Sequence, residues 1–349
     1  MSHTAVVILN YNGEKLLRQF LPSVIQHSKN AEIIVADNNS SDESVALLRQ
    51  SFPQVRIILL DKNYGFCGGY NRALKQVTAD YYVLLNSDIE VTPDWLTPMV
   101  TLLNNNPHVA AVQPKVLSYH QKNKFEHAGA GGGFIDSLGY PFCRGRILSF
   151  VEEDEGQYND EVEVFWASGA CLMIRSELYH KFKGFDEDFF AHMEEIDLCW
   201  KLHREGKKIY YSGKSKVYHL GAGTLGYQQP GKTYLNFKNG LSLIFKHLLP
   251  REIIYKLPLR ILLDWIAAFH FLLKGEPKNF GAVLRAHYRF LIELNQNRRK
   301  RKELQQAYPT YNDTLIYPGL IVVDYYLKGR RMVSGLKFEV RGFARSAKV

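Results

Sequence analysis

Four short apolar runs punctuate the first ninety residues of the chain. They are Ala5-Val6-Val7-Ile8-Leu9, Glu32-Ile33-Ile34-Val35-Ala36, Val55-Arg56-Ile57-Ile58-Leu59-Leu60 and Tyr81-Tyr82-Val83-Leu84-Leu85. Each is of strand length, rich in β-branched or aromatic residues, and closed by Asn or Asp or followed closely by one, the pattern of a strand buried on both faces. Between them the period becomes helical, as in Leu16, Leu17, Phe20, Leu21, Val24 and Ile25. Ser40-Ser41-Asp42-Glu43 has the spacing of a capping box and is expected to open the second helix. Strand and helix in alternation predict an α/β fold, a parallel sheet covered by helices on both faces. Ligands of such sheets sit outside the carboxyl ends of the strands.

Those ends are polar throughout. Asn10-Tyr11-Asn12-Gly13 follows the first run, Asp37-Asn38-Asn39-Ser40 the second, Asp61 to Asn71 the third and Asn86-Ser87-Asp88-Ile89-Glu90 the fourth. Any one of these segments reads equally well as turn and cap residues. Four on one edge of one sheet point to a binding site. It is not a dinucleotide or NTP site of the common kinds, because no GxGxxG follows the first strand and no GxxxxGK[ST] is present. Farther on, Val109 to Gln113 and Phe165 to Ile174 read as strands, with Gly169 marking a close approach. Residues 128–133 form a small-residue loop, 152–155 a solvated acidic one, and Val217-Tyr218-His219 ends a short strand before a Gly-rich turn. Glu194, Glu195 and Asp197 begin a helix; acids there also suit the helix dipole. Glu194 and Asp197 share a face with Lys201, whereas Glu195 turns toward Leu198 and Leu202.

Taken in order, these pieces resemble glycosyltransferase family 2, and within it the bacterial rhamnosyltransferase-like branch. The matching segments are Val6 to Asn12, Asp37 to Asp42, Asn63 to Asn71, Leu85 to Asp88, Ser168 to Ala170, Gly184 to Glu187, Glu194 to Lys201, and His219. The resemblance implies the GT-A fold, a Rossmann-like, mostly parallel sheet flanked by helices. It also implies inverting transfer from a nucleotide-diphosphate sugar, a UDP- or dTDP-sugar, to a glycan or lipid-linked glycan. Mg²⁺ or Mn²⁺ would neutralise the leaving diphosphate, with Asp88 and His219 as ligands; Asn86 stands where the family's first Asp of Asp-x-Asp lies, and Glu90 could supplement the site. Asp37 would accept from the base, and Asn10, Asn12, Asn39, Asn63, Gly68, Asn71, Asn86, Ser87 and Gly169 would line the donor site. The family's Glu-Asp pair maps to Glu194-Glu195, which makes Glu195 the expected base, Glu194 the alternative and Asp197 an orienting residue. Arg144 and Arg146 border the sugar or sit in a solvated loop. The contrasting reading is a catalytically silent GT-A scaffold that binds or assembles; a sugar nucleotidyltransferase would need a Gly-rich basic loop after the first strand.

Charge divides the chain. Residues 1–227 carry 22 Lys and Arg against 27 Asp and Glu, and residues 228–349 carry 22 against 8. The reading is a transferase domain over 1–227 and a helical, basic extension over 228–349. Arg298-Arg299-Lys300-Arg301-Lys302 is expected to meet anionic lipid, the other possibility being self-association into a homo-oligomer. No nucleic-acid module accompanies the charge. The apolar run Ile253 to Leu273 is broken by Arg260 and Asp264, so an interfacial or buried helix is expected rather than a spanning one. The N-terminus lacks a basic leader and the four Cys form no CxxC pair, so a cytoplasmic protein, peripheral on the inner membrane face, is expected.

Overall fold

The computed structural model of the chain describes residues 2–221, 229–336 and 338. The apolar runs do form strands: β1 (Thr4–Asn10), β2 (Glu32–Asp37), β3 (Arg56–Leu59) and β4 (Tyr81–Asn86). Helices α1 (Glu14–His27), α2 (Ser44–Ser51) and α3 (Gly65–Leu74) link them. β3, β2, β1 and β4 lie side by side and parallel. On α1 the expected stripe Leu17, Phe20, Leu21 and Val24 is buried, each side chain contributing about 1.5–3 kcal/mol. Helix α3 carries glycine where it meets β1: a Cβ on Gly69 would lie 2.8 Å from Leu9, so only hydrogen lets helix and strand approach.

A short β5 (Ile89–Val91) and α4 (Leu96–Asn105) lead to β6 (Val109–Ser118). Four strands of two to four residues follow, β7 (Gly133–Asp136), β8 (Pro141–Cys143), β9 (Arg146–Ile147) and β10 (Phe150–Val151). The main sheet is completed by β11 (Glu161–Val164), β12 (Cys171–Arg175) and, past α5 (Ser176–Lys181) and α6 (Glu194–Arg204), by β13 (Lys208–His219). Its order is β11-β13-β6-β12-β4-β1-β2-β3, with β5 on β13 and β12 antiparallel between β4 and β6. This is the mostly parallel, helix-flanked sheet that the sequence pattern predicts.

Helices α7 (Pro230–His247), α8 (Pro250–Leu273), α9 (Pro277–Ile292) and α10 (Leu294–Ala307) form the extension, followed by β14 (Ile316–Tyr317) and α11 (Ile321–Tyr326). β14 returns to pair in parallel with β7, closing a second sheet of order β10-β9-β8-β7-β14. Buried Asp136 fastens this strap, accepting from the backbone N–H groups of Leu138, Tyr140 and Ile321 at 2.9 Å each.

Three local expectations change. The run Phe165 to Ile174 is not one strand: Phe165 to Ala170 turn, and only Cys171–Arg175 pair in the sheet. Ser40 does not cap α2; its hydroxyl instead accepts from the Asn12 N–H at 2.9 Å, and Asp42 accepts from Ser44 N–H, while its other oxygen takes the Glu14 N–H at the start of α1. The strand ending at His219 is twelve residues long, because it extends beside β6 past an irregularity after Ser212. The Gly-rich turn beyond Gly221 and the basic residues after Phe338 lie outside the described residues. All four cysteines are free and buried, and burial pushes their thiols up, Cys143 and Cys199 to about 12.

Candidate active site

The carboxyl ends of β1 and β2 are tied together by their own polar residues. Asn10, fully buried, donates through Nδ2 to Asp37 Oδ2 at 3.0 Å and to Ser40 Oγ at 3.2 Å, and its Oδ1 has no partner. The other Asp37 oxygen accepts from Ser40 N–H at 2.8 Å. Asn12 and Asn39 take left-handed backbone, φ 50° and 65°, which Asn tolerates better than most residues; Asn12 Oδ1 accepts from Ser41 N–H. Ser87 stands beside Gly13. Between β2 and α3, buried Asn38 donates to Asn63 Oδ1 and Gly65 O and accepts from Tyr64 N–H. Gly68 is hemmed in by Tyr64, Arg72 and Glu187. Asn71 is committed to the protein: its amide donates to Phe185 O at 2.8 Å and its oxygen accepts from the Tyr179 hydroxyl and from Phe185 N–H.

At the end of β4 the backbone crosses to the turn before β12, with Asn86 N–H donating to Ala170 O at 3.0 Å. Two residues on, buried Asp88 Oδ1 lies 3.2 Å from His219 Nε2, brought there by the β5–β13 pairing. The other imidazole nitrogen, Nδ1, lies 2.9 Å from Glu126 Oε2. Burial alone would lower the imidazole; the hydrogen bonds and charges of Asp88 and Glu126 outweigh it and raise His219 to about 10. The two carboxylates thus favour positive charge between them. Two donors cis to each other on an ion with ~2.1 Å bonds stand about 3 Å apart, so the Asp88–His219 spacing suits a hard divalent cation, with Glu126 orienting the ring from behind. Among the described residues no group of three or more His, Cys, Asp or Glu is arranged to hold a metal ion by itself. Glu90 points elsewhere and pairs with Lys122 at 2.5 Å.

The acids follow a strained loop. Phe190, His192 and Met193 all have positive φ, 63°, 68° and 73°, a conformation that costs non-glycine residues about 1–3 kcal/mol each. Buried Asn239 of α7 holds it, its Nδ2 lying within 2.9 Å of the carbonyls of Phe189, Ala191 and His192. Phe190 in turn closes over Gly65, where a Cβ would meet the ring at 2.5 Å. Glu194 is buried and half-buried Glu195 follows it; each has an unpartnered Oε2. Burial and the neighbouring Glu195 push Glu194 well above the usual carboxylate range, and burial raises Glu195 to about 7. Glu194 Oε1 comes within 3.6 Å of where a Cβ on Gly169 would stand, so the acids and the strand end carrying Asp88 meet at one turn. Asp197 is different: fully buried, it takes Lys246 at 2.8 Å, His247 Nε2 at 2.8 Å and Lys201 at 3.4 Å. Although burial opposes it, the Lys246 and Lys201 cations, helped by the His247 hydrogen bond, hold Asp197 well below the ordinary value.

The structure therefore brings Asn10 to Asp37 and Ser87 to Gly13 at the ends of β1 and β2, Asp88 to His219 beyond β4, and Gly169 to Glu194, with Glu195 next in the chain. Asn71 and Asp197 have their hydrogen-bonding capacity taken up by the protein. Arg144 is buried on Gly131 O and Asp160, and Arg146 binds the His127 and Leu148 carbonyls. Three residues that local sequence does not single out help to build the site. Glu126 is placed by its backbone bond to Val116 O, Asn38 lies within a turn-like segment, and Asn239 comes from the extension. Only the last offered a sequence signal, an Asn inside an otherwise helical run.

The model of glycosyl transferase family 2 matches residues 5–182. The chain is similar to the N-acetylglucosaminyl-diphospho-decaprenol L-rhamnosyltransferase of Mycobacterium tuberculosis, 25% identical over 237 residues that cover 63% of this chain and 77% of the relative. Its fold is similar to that of GalNAc-T7 crystallised with UDP, GalNAc and Mn²⁺, with a TM-score of 0.56, 14% identity, and 89% of this chain and 58% of that one covered. It is likewise similar to a Pyrobaculum calidifontis mannosyltransferase in complex with GDP-Man and Mn²⁺, at a TM-score of 0.50, 14% identity, and 88% and 84% covered. With its sheet, its polar strand ends and this match over half its length, the chain belongs to glycosyl transferase family 2 and has the GT-A fold.

Proposed function

We propose that the chain is an inverting, metal-dependent glycosyltransferase that moves a sugar, rhamnose or another hexose, from a UDP- or dTDP-sugar to a glycan or lipid-linked glycan. The lipid-linked acceptor class is suggested by the decaprenol-linked substrate named for the Mycobacterium tuberculosis relative. One observation supports the reading: the Gly169–Ala170 turn accepts from Asn86 N–H, two residues before Asp88, and abuts Glu194.

In this mechanism Asp37 and the unpartnered Asn10 Oδ1 orient the nucleobase by accepting its hydrogen bonds through the lone pairs left beyond their bonds to each other and to Ser40. A cation on Asp88 and His219 would supply charge neutralisation for the departing diphosphate. The acceptor hydroxyl attacks the anomeric carbon from the face opposite the nucleotide, and Glu195 takes its proton. The carbon–oxygen bond to the diphosphate breaks, its electron pair leaving with the phosphate, so configuration inverts and no covalent enzyme intermediate forms. A carboxyl titrating near 7 is matched to a base working at neutral pH. Glu194, kept protonated beside it, separates the two acids by environment.

Purified protein is incubated with UDP- and dTDP-sugars, Mn²⁺ or Mg²⁺, and a polyprenol-diphosphate-linked acceptor. Transfer that is lost on chelation and restored by metal is expected. Absence of both transfer and donor hydrolysis across the donors, with nucleotide binding retained, would favour a silent scaffold instead.

A further inference from the structure

Helix α8 has its polarity reversed with respect to the protein. The side chains it buries include Glu252, Arg260 and Asp264, whereas Leu259, Leu262, Trp265, Ile266, Phe269 and Leu273 are exposed. The charges that interrupt its apolar run are consumed inside: Arg260 Nε binds Asp264 at 2.9 Å and its Nη1 the Leu138 carbonyl, while Tyr140 donates to Asp264 at 3.0 Å. The exposed residues recur at three and four positions, so they form one continuous stripe along the helix. Neighbouring α9, whose His287 meets Trp265 and whose Phe280 meets Phe269, also exposes Tyr288, Leu291 and Ile292. A patch of this kind on a water-soluble surface marks a docking site.

We infer that the outer face of α8, with the end of α9, lies in the surface of an anionic bilayer, its side chains among the acyl chains and the helix parallel to the membrane. This deepens the lipid-linked reading of the proposed function and rests on it only for the identity of the acceptor. Charge selects the occupant. Exposed Arg251 and Lys274 stand at the two ends of α8, and exposed Lys278, Arg285 and Arg289 lie on α9, whereas the acids of α8, Glu252 and Asp264, are both buried. A cationic fringe around an apolar stripe fits lipid phosphates above acyl chains, and it would repel a second copy of itself. No helix among the described residues is long and apolar enough to cross a membrane, which leaves the in-plane arrangement. In the basic run 298–302, Arg298, Arg299 and Lys302 are exposed and the other two are engaged by the protein. There Lys300 is paired with Asp186 and Asp188, and Arg301 donates to the Phe245 carbonyl.

Trp265 provides the readout, because the other three tryptophans, Trp95, Trp166 and Trp200, are buried. Full-length protein is mixed with vesicles of phosphatidylcholine containing one quarter phosphatidylglycerol, with and without brominated acyl chains. Co-sedimentation is expected, together with bromine quenching that Trp265→Phe removes. Ile266→Glu with Phe269→Glu is expected to weaken partitioning about a hundredfold, since each buried apolar side chain contributes about 1.5–3 kcal/mol. Leu59→Glu, on an exposed apolar residue of β3, is expected to leave it unchanged. Unquenched Trp265 with unaltered binding of the double variant would overturn the inference. So would a concentration-dependent dimer that shields Trp265 without vesicles. Because neither measurement involves sugar transfer, its failure is separable from failure of the enzymatic reading.

Discussion

Glu195 and Glu194 sit where water is scarce, and the cost falls on their charged forms. Glu195→Gln is expected to lower kcat by at least a thousandfold while leaving nucleotide affinity within twofold, measured by transfer and by calorimetry. In the parent protein kcat/KM is expected to fall about tenfold per unit as pH drops below about 7, as the base becomes protonated. The linkage has the same origin. A carboxyl whose folded value is raised binds more protons folded than unfolded, so its contribution is present below the ordinary carboxylate value and is lost as pH rises through about 7. Glu194→Gln is therefore expected to raise Tm at pH 8 by roughly 2–4 °C, the shift that about 1 kcal/mol gives in a domain of this size. Glu126→Gln is expected to weaken Mn²⁺ binding about 10–100-fold, read by paramagnetic resonance, because it removes the carboxylate behind His219.

Elements carry the site through loops that helices restrain. The segment Phe189–Met193 takes three left-handed non-glycine residues and depends on Asn239 of α7, so Asn239→Ala is expected to reduce kcat more than donor affinity, checked by steady-state kinetics with a nucleotide-binding control. The strands of the first half were readable because each is a compact apolar run with polar ends, and the ends are where Asn10, Asp37 and Asp88 lie. What was not readable depended on pairing across distance. Glu126 reaches His219 only after β6, β5 and β13 have assembled, and nothing in Lys124-Phe125-Glu126 announces it. The apparent strand Phe165 to Ile174 breaks because Phe165 and Trp166 donate sideways to Gly133 O, a partner in the second sheet. The apparent cap at Ser40 failed since its hydroxyl found Asn10 and Asn12 across the strand ends.

At the scale of the molecule, the acidic and basic parts of the sequence meet in buried ion pairs. Lys246 lies 2.9 Å from Asp186 and 2.8 Å from Asp197, and His247 lies beside Asp197 with its own value lowered to about 3, chiefly by burial. Composition alone suggested that the cations of residues 228–349 face outward; Lys246 is instead a counter-ion for the helix that carries the acids, and Lys300 for Asp186 and Asp188 before it. Lys246→Met is expected to destabilise the protein by about 3–5 kcal/mol in urea unfolding, because it removes the buried cation that Asp186 and Asp197 share. The strap between β14 and β7 has a further consequence, for biosynthesis. Ile321 N–H reaches back 185 residues to Asp136, so the small sheet has no closing strand while the ribosome is still making α7 to α10. At 5–20 residues per second the 185 residues between Asp136 and Ile321 take roughly 10–40 s, during which the edge of β7 must be kept from pairing with other nascent chains.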